Sequence, residues 1–224
     1  PLWTGNVNKE CSKLKETGII GSLRWWYEAL VRGLGGYACD PTSEGRCPDK
    51  YEEKYYCLAC LVWGATGLKR SFKLEIFNGE RVFDGNPINI KPSGRNRGWY
   101  LGPGIVNNGN DIEIKITPLA DRFNVALFST PFVIASKFGA IGPKVQHGYG
   151  VVEIKNQISL EKTITFVKII EKMKDEKRLS NVKIREGTTE GYPNLKEMFF
   201  AKMQFEVADN DWWKNVGGLR RYEN

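Results

Sequence analysis

Apolar residues in residues 18–36 recur three and four positions apart, which is the spacing of one helix face. The set comprises Ile20, Leu23, Trp26, Tyr27, Leu30, Val31 and Leu34. The spacing predicts an amphipathic helix that begins at about Ser22, which would cap its first turn, and ends at the glycines of GLGG. Arg24, Glu28 and Arg32 fall on the opposite face, four residues apart, so we expect them to pair along the helix surface.

Strict alternation of apolar and polar residues marks two strands. Phe72, Leu74 and Ile76 alternate with polar residues in GLKRSFKLEIF, and residues 111–117 repeat the pattern with isoleucine at every second position. This is the period of a half-buried strand, with the apolar side chains facing inward. The expected outward residues are Ser71, Lys73, Glu113 and Lys115. None of them is aromatic, so this face lacks a platform on which bases could stack.

A second helix and a further strand complete the pattern of the first part of the chain. TPFVIASKFG offers Ser129 or Thr130 as a cap, a proline at the first helical position and a terminal glycine. VVEIK, residues 151–155, predicts a strand, and PLWTG, residues 1–5, looks like the tail of another, so we expect further residues upstream. The order predicts an α+β fold with a ferredoxin-like (RRM-like) βαββαβ domain of four antiparallel strands under two helices.

After residue 156 the pattern changes. Residues 163–177 predict a charged amphipathic surface helix, and residues 199–207 alternate like a new strand. We therefore expect a ferredoxin-like domain over residues 1–155, with inserted cysteine-containing and basic loops. Residues 156–224 would hold a helix and the start of a second, similar domain, which too few elements follow to complete.

The charge balance favours an anionic partner. The 224 residues include 33 Lys and Arg against 26 Asp and Glu, a formal net charge of +7. Nucleic acid is the first expectation, ahead of a membrane surface, although many basic proteins bind nothing anionic. No run of about 18 apolar residues and no secretory signal is visible in the sequence, so we expect an intracellular protein.

Four of the five cysteines lie close together in the sequence, at Cys39, Cys47, Cys57 and Cys60. Four thiolates suit a tetrahedral structural zinc site, and Cys57 and Cys60 have the CxxC spacing of such sites. Cys39 and Cys47 are spaced more widely than zinc knuckles require. Zinc, a disulfide and free structural thiols therefore all stay open. Cys11 stands apart and is assigned no role.

Three basic segments are candidates for phosphate contact. Arg24 would project from the first turn of the predicted helix, where free backbone amides favour an anion. Lys69 and Arg70 precede the first strand after the loop GATG. Arg95 and Arg97 lie in a Gly- and Pro-rich loop with two aromatic residues, a composition that suits single-stranded nucleic acid. The alternative for that loop is that its tryptophan packs on the core.

The glycine-rich stretch GAIGPKVQHGYG directly precedes the predicted strand VVEIK. Backbone amides of such a loop, flanked by Gly142 and Gly148, can approach a phosphodiester together with Lys144, Gln146 and His147. The alternative is a plain turn between helix and strand.

No motif of a known catalytic type is visible in the sequence. His147 is the sole histidine, and neither a serine nucleophile elbow, a zinc-protease helix, a Walker loop nor a pair of carboxylates is present. Cleavage of RNA would require His147 and a cation such as Lys144 acting on a 2′-hydroxyl. We therefore expect a protein that is not an enzyme and requires no cofactor, with a structural zinc ion as one of the alternatives open for the cysteines.

Three stretches together resemble the RAMP superfamily of CRISPR proteins. They are GIIGSLRWWYEALVRGLGG, CLACLVWGATGLKRSFKL and FGAIGPKVQHGYGVVEI, in the order that the family shows. Within the superfamily they are most similar to the first RAMP subunit of the Cmr (type III-B) effector complex. The resemblance covers most of residues 1–155, and later residues match more loosely.

The resemblance implies a cytoplasmic, non-catalytic RNA-binding subunit that acts in antiviral defence with other Cmr subunits. It would contact guide or target RNA through a basic groove. The residues implied or inferred for RNA binding are Arg24, Lys69, Arg70, Arg95, Arg97, Gly142, Lys144, Gln146, His147 and Gly148. Two alternatives stay open: a metal-independent endoribonuclease that processes CRISPR RNA, and a scaffold that docks neighbouring subunits.

Overall fold

A computed structural model gives the architecture of the chain. It describes residues 1–5, 8, 10–48, 54–83, 88–92, 99–107, 109–156, 158–176, 178–179, 182–201 and 219–221. The helices are α1 (Glu16–Gly33), α2 (Leu58–Trp63), α3 (Ala126–Phe138) and α4 (Leu160–Asp175). The strands are β1 (Tyr55–Tyr56), β2 (Phe72–Phe77), β3 (Ile88–Pro92), β4 (Trp99–Leu101), β5 (Glu113–Pro118), β6 (Arg178–Leu179), β7 (Val182–Ile184) and β8 (Leu219–Arg221).

Helix α1 begins six residues earlier than the apolar spacing predicted. Its first residue is Glu16, whose charge suits the positive end of the helix dipole. The hydroxyl of Thr4 accepts a hydrogen bond from the Lys15 amide at 2.9 Å, which holds the helix start against the first residues of the chain. Ser22 therefore lies inside the helix, and the prediction that it caps the first turn is wrong.

The antiparallel pair β2 and β5 confirms both predicted strands. Phe72 pairs with Pro118 and Phe77 with Glu113, with an unbroken register between them. Phe72 and Leu74 are buried, as the alternation predicted. Ser71, expected to face outward, is instead buried, because its hydroxyl donates a 2.8 Å hydrogen bond to the Leu61 carbonyl.

The first and last strands of the expected four-stranded sheet are not formed as strands. Residues 151–155 show alternating exposure but no strand pairing, and of residues 1–5 only Leu2 makes a β-bridge, to Ile105. An apolar groove of about 460 Å³ is lined both by β5 and by residues 151–156. The mixed α+β class is confirmed, whereas the ferredoxin-like sheet is not seen in the part of the chain that the structure describes.

Helices α1, α3 and α4 and the short helix α2 share one core. Helix α3 begins at Ala126, so Ser129 and Thr130 lie buried inside it and do not cap it, and Pro131 falls within the helix. Asn124 provides the first polar contact instead, since its side-chain oxygen accepts from the Ala126 amide at 2.9 Å. Trp63 is central to this core and contacts Tyr27, Phe72 and Phe128.

Residues after 155 pack against the same core. The helical spacing predicted an apolar face of Phe166, Val167, Ile170 and Met173 in α4; all but Val167, which is exposed, are buried. Strands β7 and β6 extend β1 into a small sheet, and β3 pairs with β4 and with β8. The division at residue 155 stays a prediction, and residues 202–207 of the predicted later strand lie outside the description. None of the described helices is long and apolar enough to cross a membrane.

Candidate metal centre and candidate nucleic-acid interface

Four cysteine sulfurs meet between α1 and α2. Cys39 and Cys47 come from the segment after α1, whereas Cys57 precedes α2 and Cys60 lies in its first turn. All four residues are buried, and their sulfur atoms lie within 4.8 Å of one another. The sulfur of Cys39 lies 3.6 Å from those of Cys57 and Cys60. In a tetrahedral site with metal–sulfur bonds of about 2.3 Å, the sulfurs are about 3.8 Å apart.

This arrangement confirms that the four cysteines cluster and shows that they could hold a metal ion. All five cysteines, including the separate Cys11, are free thiols, so the disulfide alternative is not realised in this structure. The spacing of Cys39 and Cys47 along the chain does not indicate that their sulfurs lie next to those of Cys57 and Cys60. The fold supplies that proximity, because the segment between them returns to the start of α2.

Several N–H groups donate to these sulfurs. The Cys39 amide donates to the Cys57 sulfur at 3.4 Å, and the Cys57 amide to the Cys47 sulfur at 3.3 Å. Hydrogen bonds among the thiols, those with Cys39 foremost, lower the pKa of Cys47 and raise the pKa of Cys57 and of Cys60. Donors directed at sulfur stabilise the thiolate, which is the form that binds metal.

Arg24 is part of this cluster and not of a helix terminus. Its Nε donates to the Glu28 carboxylate at 2.7 Å, one Nη donates to the Gly64 carbonyl at 2.7 Å, and the other to the Cys60 sulfur at 3.1 Å. Only 15% of its side chain is exposed. The expected pairing with Glu28 exists, but in the interior. The prediction that Arg24 projects from the first turn of the helix is wrong, because α1 begins eight residues before it. Its contact with RNA stays a prediction.

The basic pair before β2 follows a tight turn. Lys69 is exposed and Arg70 is half-buried, with its guanidinium 5.8 Å from the centre of the Phe72 ring. A side chain at Gly64 would meet the Arg70 amide at 3.0 Å, and the φ angle of Gly64 is +88°. Arg122 also contacts this turn and donates to the Lys69 carbonyl at 3.3 Å. Sequence reasoning missed Arg122, since nothing in its own segment suggested a cationic site.

The glycine-rich loop is closed by backbone hydrogen bonds. The Ile141 amide donates to the Gly150 carbonyl at 2.9 Å, and the Gly150 amide donates to the Pro1 carbonyl at 2.9 Å. A Cβ atom at Gly150 would overlap the Ile141 carbonyl, and its φ angle is +84°, so this position requires glycine. Gly142 has a φ angle of +89° and packs against the Trp3 carbonyl. The loop therefore wraps the first residues of the chain.

Lys144 lies over aromatic rings inside this loop. Its ammonium is 3.6 Å from the centre of the Trp3 ring and 5.9 Å from that of Tyr149. The Tyr149 hydroxyl accepts a 2.9 Å hydrogen bond from the Gly102 amide, which ties the loop to the end of β4. Trp3 and Tyr149 were not among the predicted site residues. The aromatic residues of PLWTG and HGYG were the available signal.

Gln146, His147 and Gly148 form the exposed tip of the loop. Residues Val145–His147 make one 3-10 turn between two left-handed positions, Lys144 at φ +63° and Gly148 at φ +90°. Strand β4 packs beside this turn. Arg95 and Arg97 precede β4 and lie outside the described residues.

The predicted site residues fall into two groups. Arg24 and Arg70 both contact Gly64. The Arg24 guanidinium donates to the Gly64 carbonyl, and the backbone of Arg70 packs against Gly64. Lys144 instead contacts Trp3 and Tyr149, with Gln146 and His147 beside it in the chain. The described contacts do not join the two groups, so the single groove expected from the sequence stays a prediction.

Comparisons with known proteins give a family match and a similar solved structure. The sequence profile of the RAMP superfamily matches residues 1–153. A chain in the cryo-EM structure of the type III-B Cmr-beta complex bound to cognate target RNA is similar, with a TM-score of 0.37 and 12% sequence identity. The similarity covers 78% of the present chain and 60% of that chain. No curated protein matches the sequence.

Proposed function

The chain belongs to the RAMP superfamily, and from this premise we propose that it is an RNA-binding, non-catalytic subunit of a type III-B CRISPR effector complex. It would act in the cytoplasm, in antiviral defence, and bind guide or target RNA alongside other subunits. The three family-like stretches of the sequence support the assignment to this type of complex. The net charge of +7 supports an anionic partner.

The observation that carries the RNA-binding proposal is the geometry of the glycine-rich loop. Its tip exposes Gln146 and His147 on a turn between two left-handed residues, and Lys144 adds a positive charge held in place by Trp3. Amide, imidazole and ammonium groups at such a tip suit the phosphates and bases of a single strand. Strand β4 packs beside the turn, and the basic segment of the sequence directly precedes this strand.

A binding role fits this loop better than a catalytic one. Cleavage would require the ammonium of Lys144 and the His147 ring to act on one 2′-hydroxyl. The ammonium is instead directed onto the Trp3 ring. The resemblance to a RAMP subunit of the Cmr complex implies that target cleavage belongs to other subunits, and we propose the same for this chain.

The test is RNA affinity as a function of salt. We compare the full chain with a Lys144→Ala, Gln146→Ala, His147→Ala variant on a labelled single-stranded RNA, with the exposed Lys168→Ala as a control of equal charge change. The triple variant is expected to bind about tenfold more weakly, and its slope of log K against log salt is expected to fall by about 0.7 for each phosphate that is no longer neutralised. Unchanged affinity and slope would exclude the loop, and discrete RNA fragments would favour the endoribonuclease alternative.

We further propose that the ion held by the four cysteines is Zn²⁺ and that it is structural. Four soft thiolates favour zinc over the hard cations, and a site with four protein ligands leaves no open position for catalysis. The buried sulfurs and the N–H groups directed at them support this assignment.

A further inference from the structure

The cysteine loop, defined as residues 38–48, contacts two parts of the chain that are distant in sequence. Cys39 and Cys47 of the loop meet Cys57 and Cys60, all within the residues that match the RAMP profile. The other side of the loop contacts residues 182–193, which follow the matched region. The loop is therefore the junction between the family-matched part and the segment after α4.

Arg185 makes the first contact between this segment and the loop. Its Nη1 donates to the Gly45 carbonyl at 2.7 Å and lies 3.8 Å from the Cys47 sulfur. The guanidinium lies 5.6 Å from the centre of the Tyr37 ring. The Arg185 amide donates to the Tyr56 carbonyl at 3.0 Å, which continues the pairing of β7 with β1.

Arg32 makes the second contact, from inside α1. Its Nε donates to the Ala38 carbonyl at 2.9 Å and one Nη donates to the Cys39 carbonyl at 3.1 Å. Its other Nη donates to the Pro193 carbonyl at 3.2 Å, and the guanidinium lies 5.0 Å from the centre of the Tyr192 ring. One buried arginine thus holds both the cysteine loop and the segment that follows α4.

The small sheet of β1, β7 and β6 is too short to hold this segment alone. β7 pairs with β1 over two residues and with β6 over two residues. Isolated ladders of this length are not stable in water. Residues 182–193 are held in addition by the packing of Val182 and Ile184 on the core, by Arg32 and by the cysteine loop, whose described residues contain neither helix nor strand.

The charges around the sulfurs fit a metal-bound cluster. Glu28 pairs with both Arg24, at 2.7 Å, and Arg32, at 3.8 Å, so one carboxylate serves two buried guanidinium groups. Zn²⁺ with four thiolates carries a net charge of about −2. Arg24 at the Cys60 sulfur and Arg185 near the Cys47 sulfur are placed to balance it.

We propose that the tetrathiolate zinc centre is the fastening point for residues 182–193, with Arg185 as the positioning residue that clamps this segment to the metal-ordered loop. The inference rests on the zinc centre proposed above. Metal fixes the sulfurs, the sulfurs fix the cysteine loop, and the loop presents the Gly45 carbonyl and the Cys47 sulfur to Arg185. Loss of metal frees the loop and the segment together.

The first test is hydrogen exchange measured by mass spectrometry on the full chain, with zinc and after chelation. Removal of zinc is expected to raise exchange at least about tenfold in residues 38–48 and 182–193, while α1 and α3 keep their protection. If exchange rises only in residues 38–48, the docking inference is wrong. A chain that purifies without bound metal overturns the zinc centre and this inference together, but not RNA binding, which is measured separately.

The second test keeps the metal in place. Arg185→Gln is expected to retain one zinc per chain and still raise exchange about tenfold in residues 182–193. Arg46→Gln removes the same charge from an exposed position next to Cys47 and is expected to leave that segment protected. Equal exchange in the two variants, with zinc bound in both, would show that Arg185 is not the clamp. This comparison decides the question even where chelation unfolds the whole chain.

Discussion

The ammonium of Lys144 lies 3.6 Å from the centre of the Trp3 ring. This contact joins the glycine-rich loop to the third residue of the chain, and Tyr149 flanks the same ammonium at 5.9 Å. The Lys144 ammonium, which we propose contacts RNA, is thus held in place by packing although Lys144 lies in a loop. A charge that is already placed loses little side-chain entropy when a phosphate binds.

Replacing Lys144 is therefore expected to affect folding as well as binding. Lys144→Met keeps the aliphatic length of the side chain but removes the cation, and we expect it to lower the free energy of unfolding by about 1 kcal/mol. Urea unfolding of the RNA-free protein measures this. The exposed Lys168→Met is the control, and equal stabilities of the two variants would show that the ring contact contributes nothing.

The hydroxyl of Tyr27 is buried in the core without a hydrogen-bond partner among the described residues. Tyr27→Phe removes this unsatisfied group and is expected to raise the free energy of unfolding by about 1 kcal/mol. Tyr56→Phe is the matched comparison, since the Tyr56 hydroxyl donates to the Thr66 carbonyl at 3.1 Å. Tyr56→Phe is expected to lower the free energy of unfolding by about 1 kcal/mol. A loss in both variants would reveal a partner for Tyr27.

The same residue predicts an alkaline pH dependence. Burial raises the pKa of Tyr27 well above its usual range. The folded state keeps the phenol neutral, whereas the phenol of the unfolded chain ionises above its pKa of about 10. The free energy of unfolding is therefore unaffected below pH 10 and decreases as the pH rises above it. The difference in free energy of unfolding between Tyr27→Phe and the original chain should therefore increase by up to about 1.4 kcal/mol per pH unit above pH 10. A constant gap from pH 8 to pH 11 would show that the phenol ionises readily in the folded state.

Loss of one thiol from the cluster is expected to release the metal. Cys57→Ser should reduce zinc from about one ion per chain to a small fraction and lower the melting temperature. Cys11→Ser changes a cysteine outside the cluster, whose sulfur accepts from the Thr4 amide at 3.4 Å, and should retain the metal. Elemental analysis and thermal unfolding measure both quantities. Equal zinc in the two proteins would exclude the proposed ligand set.

The local sequence pattern predicted the elements that have one face on the core and the other face in solvent. Phe72 and Leu74 point inward because one face of β2 packs on the core, so period-two alternation was sufficient. The predicted start of α1 is six residues late, because Ser22 is a typical capping residue but lies inside the helix. Gly18 is helical and packs closely on Thr4, a contact between residues 14 positions apart that no helical spacing reveals.

The candidate sites, too, were predicted only where the signal was local in the sequence. The residue types at Cys57 and Cys60 predicted a thiol cluster, and the fold had only to bring the other two cysteines to it. The helical spacing assigns Glu28 and Arg32 to solvent, because an amphipathic helix has one apolar face. They are buried because α2 and the cysteine loop cover that second face, and this covering depends on long-range packing.

Arg24 is expected to stabilise the fold. Arg24→Gln removes hydrogen bonds to the Glu28 carboxylate, the Gly64 carbonyl and the Cys60 sulfur, and we expect it to cost about 3 kcal/mol of stability. Denaturant unfolding measures the decrease. RNA affinity per folded molecule, measured below the melting temperature, should stay unchanged, and a specific decrease in affinity would return Arg24 to the RNA-binding surface.

The inward position of Arg24 matters for any mutational scan of this protein. A survey that replaces every arginine and records only bound RNA would score Arg24 as a strong hit, although its guanidinium is occupied within the protein. That hit would be a false positive caused by a smaller fraction of folded molecules. Scans of this chain need a measure of folded protein beside each binding curve before a cation is placed on the RNA path.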